Sequence, residues 1–331
     1  METKKAFGFP QTFRTSFAKN SNEIVWSLAN ELHQAGMLKA VTLAMQSMDK
    51  DVLKIIKRKN IPFDNFSDLV KRYEEAGIPT YTELIMGLPG ETLDSYINGI
   101  EKCLEAGQHG GLFCYMNVML PNTEQANPVY RELHGLVAFD MEAMLSHGTP
   151  DPSDIRERQE TIVATKAMPH ADWEEAYLYS KLIEVFHVQG LLQKTAIVCH
   201  DRLGMRYRDF YYCFWRWLDD NTDTIAYQEV QRINTLLTQA LRGGSWDCID
   251  PRFGNISWPP EEFAFAHICC ELERFYDEVF PFFQKLDVDS LWDEQRQEIA
   301  GPEPGKESEW AREVIWYGRK GCGAKLKRKG K

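Results

Sequence analysis

A few polar side chains near the N-terminus are spaced so that they could act on one small polar ligand. Gln46 and Ser47 follow the apolar run Leu43-Ala44-Met45 and offer uncharged donors and acceptors suited to hydroxyls or a carboxylate. Ser47 also reads as the cap of the helix that follows, as does Asp49. Arg58 ends that helix. Its guanidinium can clamp a carboxylate with two hydrogen bonds, or it can simply complement the helix C-terminus. Glu83 precedes the apolar Leu84-Ile85-Met86, which runs into Gly87-Leu88-Pro89-Gly90-Glu91-Thr92. Gly87 and Gly90 let backbone approach a flat or phosphate-like ligand, and Pro89 presets a turn or a first helical turn. Taken alone, the same turn reads as a tight strand-to-helix connection with no ligand. It lacks the Walker and dinucleotide fingerprints. Lys19, Asn20 and Asn117 lie at neighbouring strand ends, as ligand contacts or as ordinary loop polarity.

The elements that must position these residues alternate in period. Helical stripes run over 22–35, 49–59, 66–76 and 92–106, and Gly36, Gly77 and Gly107 close three of them. Apolar runs at 40–45, 80–86 and 112–119 read as buried strands, and 13–18 as a short mixed one. Strand–helix alternation with short connections predicts parallel βαβ units, in an open sheet or part of a barrel. Either way the chemistry belongs at the C-terminal ends of the strands. The prolines between 120 and 170 suggest a loop-rich connector over 126–171, followed by a helical domain over 172–317. Its helices are expected at 172–189, 205–219, 223–242 and 260–285. The last residues, 318–331, read as a basic disordered tail.

The segments Ala44-Met45-Gln46-Ser47-Met48-Asp49, Val52-Leu53, Lys57-Arg58-Lys59-Asn60, Glu83-Leu84-Ile85 and Gly87 to Thr92 resemble, in order and spacing, the later strands of the radical S-adenosylmethionine (SAM) superfamily. Gln46, Arg58 and Glu83 stand at the separations at which coproporphyrinogen-dehydrogenase-like members bind the SAM ribose and carboxylate. Phe17-Ala18-Lys19-Asn20-Ser21, the Gln-Ser-Met-Asp run and Leu120-Pro121-Asn122-Thr123-Glu124 resemble the cobalamin-binding subgroup more closely. The resemblance covers roughly residues 5–190. It implies an α/β fold, a partial (β/α)6 barrel holding strands 3–6 only, with residues 1–125 as that half-barrel. It also implies site roles. Arg58 neutralises the SAM carboxylate, and Gln46 and Glu83 hold the ribose. Ile85 with the Gly87-Leu88 turn walls the adenine, the turn running to Glu91.

The sequence departs from that family at the metal. A [4Fe–4S] cluster needs thiolates, in this superfamily from Cys-x-x-x-Cys-x-x-Cys. The eight cysteines (103, 114, 199, 213, 248, 269, 270 and 322) never take that spacing. The first two strands and an upstream cobalamin domain are also missing from the pattern. SAM is therefore the expected ligand, and the cluster and cobalamin are implied by the family without ligands in this chain. The expected function is the SAM-binding half of a cobalamin-dependent radical SAM enzyme, methylating an unreactive carbon and needing an upstream cluster-bearing segment or partner subunit. The alternative is a non-catalytic or degenerate half-barrel interaction module. The substrate, small molecule or peptide, is not legible.

Bulk properties narrow the field further. The formal charge of −11 argues against broad nucleic-acid binding, because a polyphosphate meets a repulsive mean field. A hydrophobic fraction of 44% with 12% aromatics fits a packed core rather than disorder. No apolar run is long enough for a membrane span, and a cytoplasmic location is the default expectation. Cys269-Cys270 in a helix, His187, His200 and the aromatic stretch Arg206 to Trp217 all read as packing residues.

Overall fold

The computed structural model describes residues 2–11, 23–151 and 153–317. The expected strand at 13–18, with Lys19 and Asn20, and the basic tail lie outside the described residues. The chain forms α1 (Glu2–Phe7), α2 (Glu23–Gln34), β1 (Val41–Thr42), α3 (Lys50–Ile55), α4 (Phe63–Glu75), β2 (Thr80–Met86), α5 (Leu93–Glu105) and β3 (Leu112–Met116). These strands make a parallel sheet in the order β1-β2-β3. The βα alternation thus yields a parallel α/β unit, as its period requires.

β2 occupies the residues its pattern marks. Thr82, Leu84 and Met86 are buried, while Tyr81, Glu83 and Ile85 are half-buried on the other face. The buried face packs against α5, whose Tyr96, Ile97, Ile100, Cys103 and Leu104 are all inside. α5 starts where a reciprocal cap forms: Ser95 N–H donates to Thr92 Oγ1 at 3.1 Å and Thr92 N–H to Ser95 Oγ at 2.9 Å.

Two helix and strand ends differ from expectation. α3 stops at Ile55, short of residue 59, because Lys57 takes a left-handed conformation (φ 53°) that turns the chain back toward the sheet. The strand expected over 112–119 pairs with β2 only to Met116. From Asn117 it turns to β5, with Met119 N–H donating to Glu160 O (2.7 Å) and Ile162 N–H to Asn117 O (2.9 Å).

The stretch read as a loop-rich connector carries α6 (Pro128–His134) and an antiparallel pair, β4 (Val137–Glu142) with β5 (Arg158–Ala164). Pro128, Pro150 and Pro169 sit outside the two strands, where they cost no ladder hydrogen bond.

The C-terminal part is helical: α7 (His170–Leu182) continued by a wider turn at Ile183–Val188, α8 (Gln193–Leu203), α9 (Tyr207–Asp220), α10 (Ile225–Leu241), α11 (Pro260–Cys270) and α12 (Leu272–Lys285). The helix expected over 260–285 breaks at Glu271, whose φ and ψ of −123° and 38° are not helical. α11 is buried nearly all round and α12 on one face only, so the break lets the second segment turn to the surface. The aromatic stretch on α9 is core: Phe210, Tyr211, Phe214 and Trp217 are buried, and Phe214 meets Phe186 at 4.9 Å and Phe282 at 5.1 Å. One apolar cluster runs from Ala29 through the sheet to Ile315.

An ionic group lies buried beneath the sheet. Lys181 Nζ reaches Glu184 (2.6 Å) and Glu261 (3.2 Å), and Glu184 also accepts from Cys114 N–H at 3.1 Å. Burial opposes the lysine charge, but the two carboxylates outweigh it and hold its pKa above the usual lysine range. Among the described residues no helix is long and apolar enough to cross a membrane.

Candidate functional site

The C-terminal ends of β1 and β2 form a rim built on a bulge. Met45 N–H (3.3 Å) and Gln46 N–H (2.9 Å) both point to Glu83 O, so two residues of one strand face one of the other. Gln46 takes φ 56°, the left-handed region. Its carbonyl then accepts from Ile85 N–H at 2.8 Å, which resumes the pairing one step later.

Three of the residues marked by sequence meet here. Arg58 returns from the left-handed Lys57 turn, and its Nη2 donates to Ala44 O at 2.7 Å. Its Nε donates to Asn60 Oδ1 at 2.9 Å. Ala44 lies beside Glu83, because Leu43 N–H pairs with Tyr81 O and Met45 N–H with Glu83 O. Burial raises the Glu83 carboxyl and the nearby Arg58 charge partly offsets this; burial lowers the Arg58 guanidinium and Glu83 partly offsets that. The two are close enough to feel each other without forming an ion pair. Gln46 and Glu83 are half-buried, and neither side chain has a hydrogen-bond partner among the described residues. Ile85 shares the face of Glu83, and the register sets Phe113 and Tyr115 beside them.

The other marked residues are placed one layer back. Ser47 and Glu91, 2% and 1% exposed, bond to each other, Ser47 Oγ donating to Glu91 Oε1 at 2.6 Å. Burial pushes the Glu91 carboxyl up to about 8, so it is neutral near pH 7; Oε2 has no partner. Leu88 is buried. Asn117 is buried too, and its Nδ2 donates to Gly87 O and Gln125 Oε1, each at 3.0 Å. Gly87 takes φ 81° with the Trp173 ring 3.3 Å from where a Cβ would stand, so only glycine fits that turn without strain. These four side chains brace the rim from inside and do not face its open side.

Sequence reasoning missed Asn60. Its Nδ2 donates to Met45 O (2.6 Å) and Ser47 O (2.9 Å), the two carbonyls flanking Gln46. It stands two residues after Arg58 in a polar run that gave no other signal. Lys57 also pairs with Glu124, tying the Arg58 turn to the segment after β3.

The polar residues present fit SAM, which is zwitterionic at its amino acid end and carries a diol on its central ribose. They do not supply a set of iron ligands. Among the described residues no group of three or more His, Cys, Asp or Glu side chains could hold a metal ion. Cys103, Cys114, Cys199, Cys248 and Cys269 are buried, and burial pushes the Cys114 thiol up to about 12 and Cys199 up to about 11. His187 and His200 are hydrogen-bonded inside the helical part, His187 Nδ1 to Tyr211 OH at 2.7 Å and His200 Nδ1 to Met205 O at 3.2 Å.

Residues 4–103 match the model of the radical SAM superfamily. Over 96% of its length the chain is 30% identical to the cobalamin-dependent radical SAM methyltransferase TokK of Streptomyces tokunonensis, covering 50% of that protein. Over 90% of its length it is 30% identical to the 2-(S-pantetheinyl)-carbapenam-3-carboxylate methyltransferase of Streptantibioticus cattleyicolor, covering 46% of it. The chain thus spans about half the length of these curated relatives. The matched segment at the parallel strands, residues 4–103, thus belongs to the radical SAM superfamily, and over most of its length the chain is similar to these two methyltransferases.

Proposed function

We propose that the rim at Gln46, Arg58 and Glu83 binds SAM and that the chain is the SAM-binding half of a cobalamin-dependent methyltransferase acting on an unreactive carbon. One observation carries this reading. An amide and a carboxylate without hydrogen-bond partners among the described residues stand half-buried beside a guanidinium at the C-terminal ends of parallel strands. Polar groups so placed can exchange water for a ligand without first breaking a bond within the protein.

In this reading Arg58 takes the SAM carboxylate. Its Nε and one Nη2 proton are held by Asn60 and Ala44, leaving Nη1 for the ligand. Glu83 accepts from the ribose hydroxyls and Gln46 donates to or accepts from them. Ile85 and the Gly87 turn supply an apolar wall and close backbone approach for the adenine. Bound iron–sulfur and cobalamin would supply reductive cleavage and methyl carriage; among the described residues no group of three or more His, Cys, Asp or Glu side chains is placed to hold a metal ion. The ligands for both come from a further segment or a partner subunit. The names of the two relatives support methyl transfer; carbon as the acceptor is part of the proposal.

Isothermal titration of the chain with SAM tests the reading. Arg58→Ala, Glu83→Ala and Gln46→Ala should each weaken binding, Arg58→Ala by about a factor of ten or more, as for a lost charge-assisted hydrogen bond of roughly 1.5–3 kcal/mol. Wild-type affinity in Arg58→Ala would remove its assigned role.

A further inference from the structure

We propose that Asn60 is the positioning residue of this site, one amide setting both the Gln46 turn and the Arg58 guanidinium; the proposal rests on the nucleoside reading above. Gln46 sits at φ 56° with no glycine to make the conformation cheap. A left-handed non-glycine residue costs roughly 1–2 kcal/mol, so something must hold it. The carbonyls on either side of it, Met45 O and Ser47 O, both accept from Asn60 Nδ2, at 2.6 and 2.9 Å. In an extended strand the carbonyls of residues 45 and 47 would point the same way but stand about 6.6 Å apart, too far for one amide; the tight turn at Gln46, where Ser47 N–H also donates to Met45 O at 2.7 Å, draws both onto one donor group.

The other end of the same amide accepts from Arg58 Nε at 2.9 Å. This fixes the amide's orientation. Reversed, its NH2 would meet the Arg58 N–H and its oxygen would meet two carbonyls, and every one of the three contacts would be repulsive. A planar amide thus couples the two ligand groups. It cannot rotate to improve one contact without losing the other. The left-handed Lys57 brings Arg58 and Asn60 back to the strand end together, and the Lys57–Glu124 pair braces that turn. Asn60 spends its Nδ2 on Met45 O and Ser47 O and its Oδ1 on Arg58 Nε, so it acts through Gln46 and Arg58 rather than as a ligand contact.

Three variants separate positioning from simple destabilisation. Asn60→Ala removes all three hydrogen bonds. Asn60→Asp keeps the acceptor for Arg58 but replaces the donors with an oxygen facing two carbonyls. Thr224→Ala removes a helix cap in α10, remote from the rim, where Thr224 Oγ1 accepts from Tyr227 N–H at 3.3 Å. Two readouts are taken: the SAM dissociation constant by titration, and amide hydrogen exchange of residues 44–48 without ligand. Asn60→Ala should raise the dissociation constant about tenfold and speed exchange at Gln46 and Ser47. Asn60→Asp should do at least as much, and Thr224→Ala should change neither readout at a temperature where all variants are folded. Unchanged exchange in Asn60→Ala would overturn the clamp. Faster exchange with wild-type affinity would overturn its role in the site. Failure of the wild-type chain to bind SAM would instead remove the nucleoside reading, and the proposal with it.

Discussion

Replacing Glu91 with glutamine should flatten the stability profile of this protein between about pH 5 and pH 8. The carboxyl is enclosed at the turn between β2 and α5, with Oε1 taken by Ser47 and Oε2 without a partner. Burial moves it from the ordinary 4.5 to about 8 in the folded chain. A carboxyl raised on folding binds its proton more tightly in the native state than in the unfolded one. Stability is therefore greatest below pH 4.5, falls as the unfolded carboxyl ionises, and stops falling above about 8. The slope is about 1.4 kcal/mol per pH unit, which puts the accumulated loss at pH 7 on the order of 3 kcal/mol. Glutamine keeps the shape and the acceptor for Ser47 and cannot ionise. Urea unfolding of wild type and Glu91→Gln at half-unit steps reads the difference: the variant should gain on the wild type steadily from pH 5 to pH 8. Parallel curves across that range would refute the claim that Glu91 is held neutral.

Lys181→Met should destabilise the fold by about 3–5 kcal/mol at pH 7, because Glu184 and Glu261 would stay buried without their counter-charge. Chemical denaturation measures it, and a loss under about 1 kcal/mol would show the group to be well solvated. His109, whose Nδ1 meets His187 Nε2 at 2.9 Å, is lowered by burial to about 4 from 6.5. Its sign is opposite to that of Glu91: the unfolded state protonates first, so stability is lost as pH falls from 6.5 toward 4. His109→Phe should lose less stability than wild type over that interval in the same unfolding assay, and an equal loss would contradict the buried neutral pair.

How far the sequence reveals this molecule depends on the range of the interactions. β2 and α5 are legible because each is specified locally: alternation over Thr80 to Met86, then the Thr92–Ser95 cap and Gly107. Local signals fail where tertiary contacts set the backbone. Lys57 and Gln46 are left-handed without being glycine, so no turn residue announces the early end of α3 or the bulge at the rim. Ser47 and Glu91 look like ligand groups by position, yet they bond to each other across 44 residues, a pairing no periodicity encodes. β4 and β5 lie between prolines, Pro128, Pro150 and Pro169, that mark the stretch as loop although none falls within a strand. Gln46 and Glu83 stand out in the sequence beside apolar strands, Arg58 at a helix end, and all three by the family's spacing; Asn60 does not, because it hydrogen-bonds backbone carbonyls.

The central claim is that Gln46, Arg58 and Glu83 surround one SAM molecule. A crystal structure of the chain grown with saturating SAM tests it most directly. The account predicts the ligand's carboxylate within hydrogen-bond distance of Arg58, its ribose hydroxyls on Glu83 and Gln46, and its adenine against Ile85 and the Gly87 turn. SAM bound at another surface, or a rim that stays ligand-free at saturation, would contradict it.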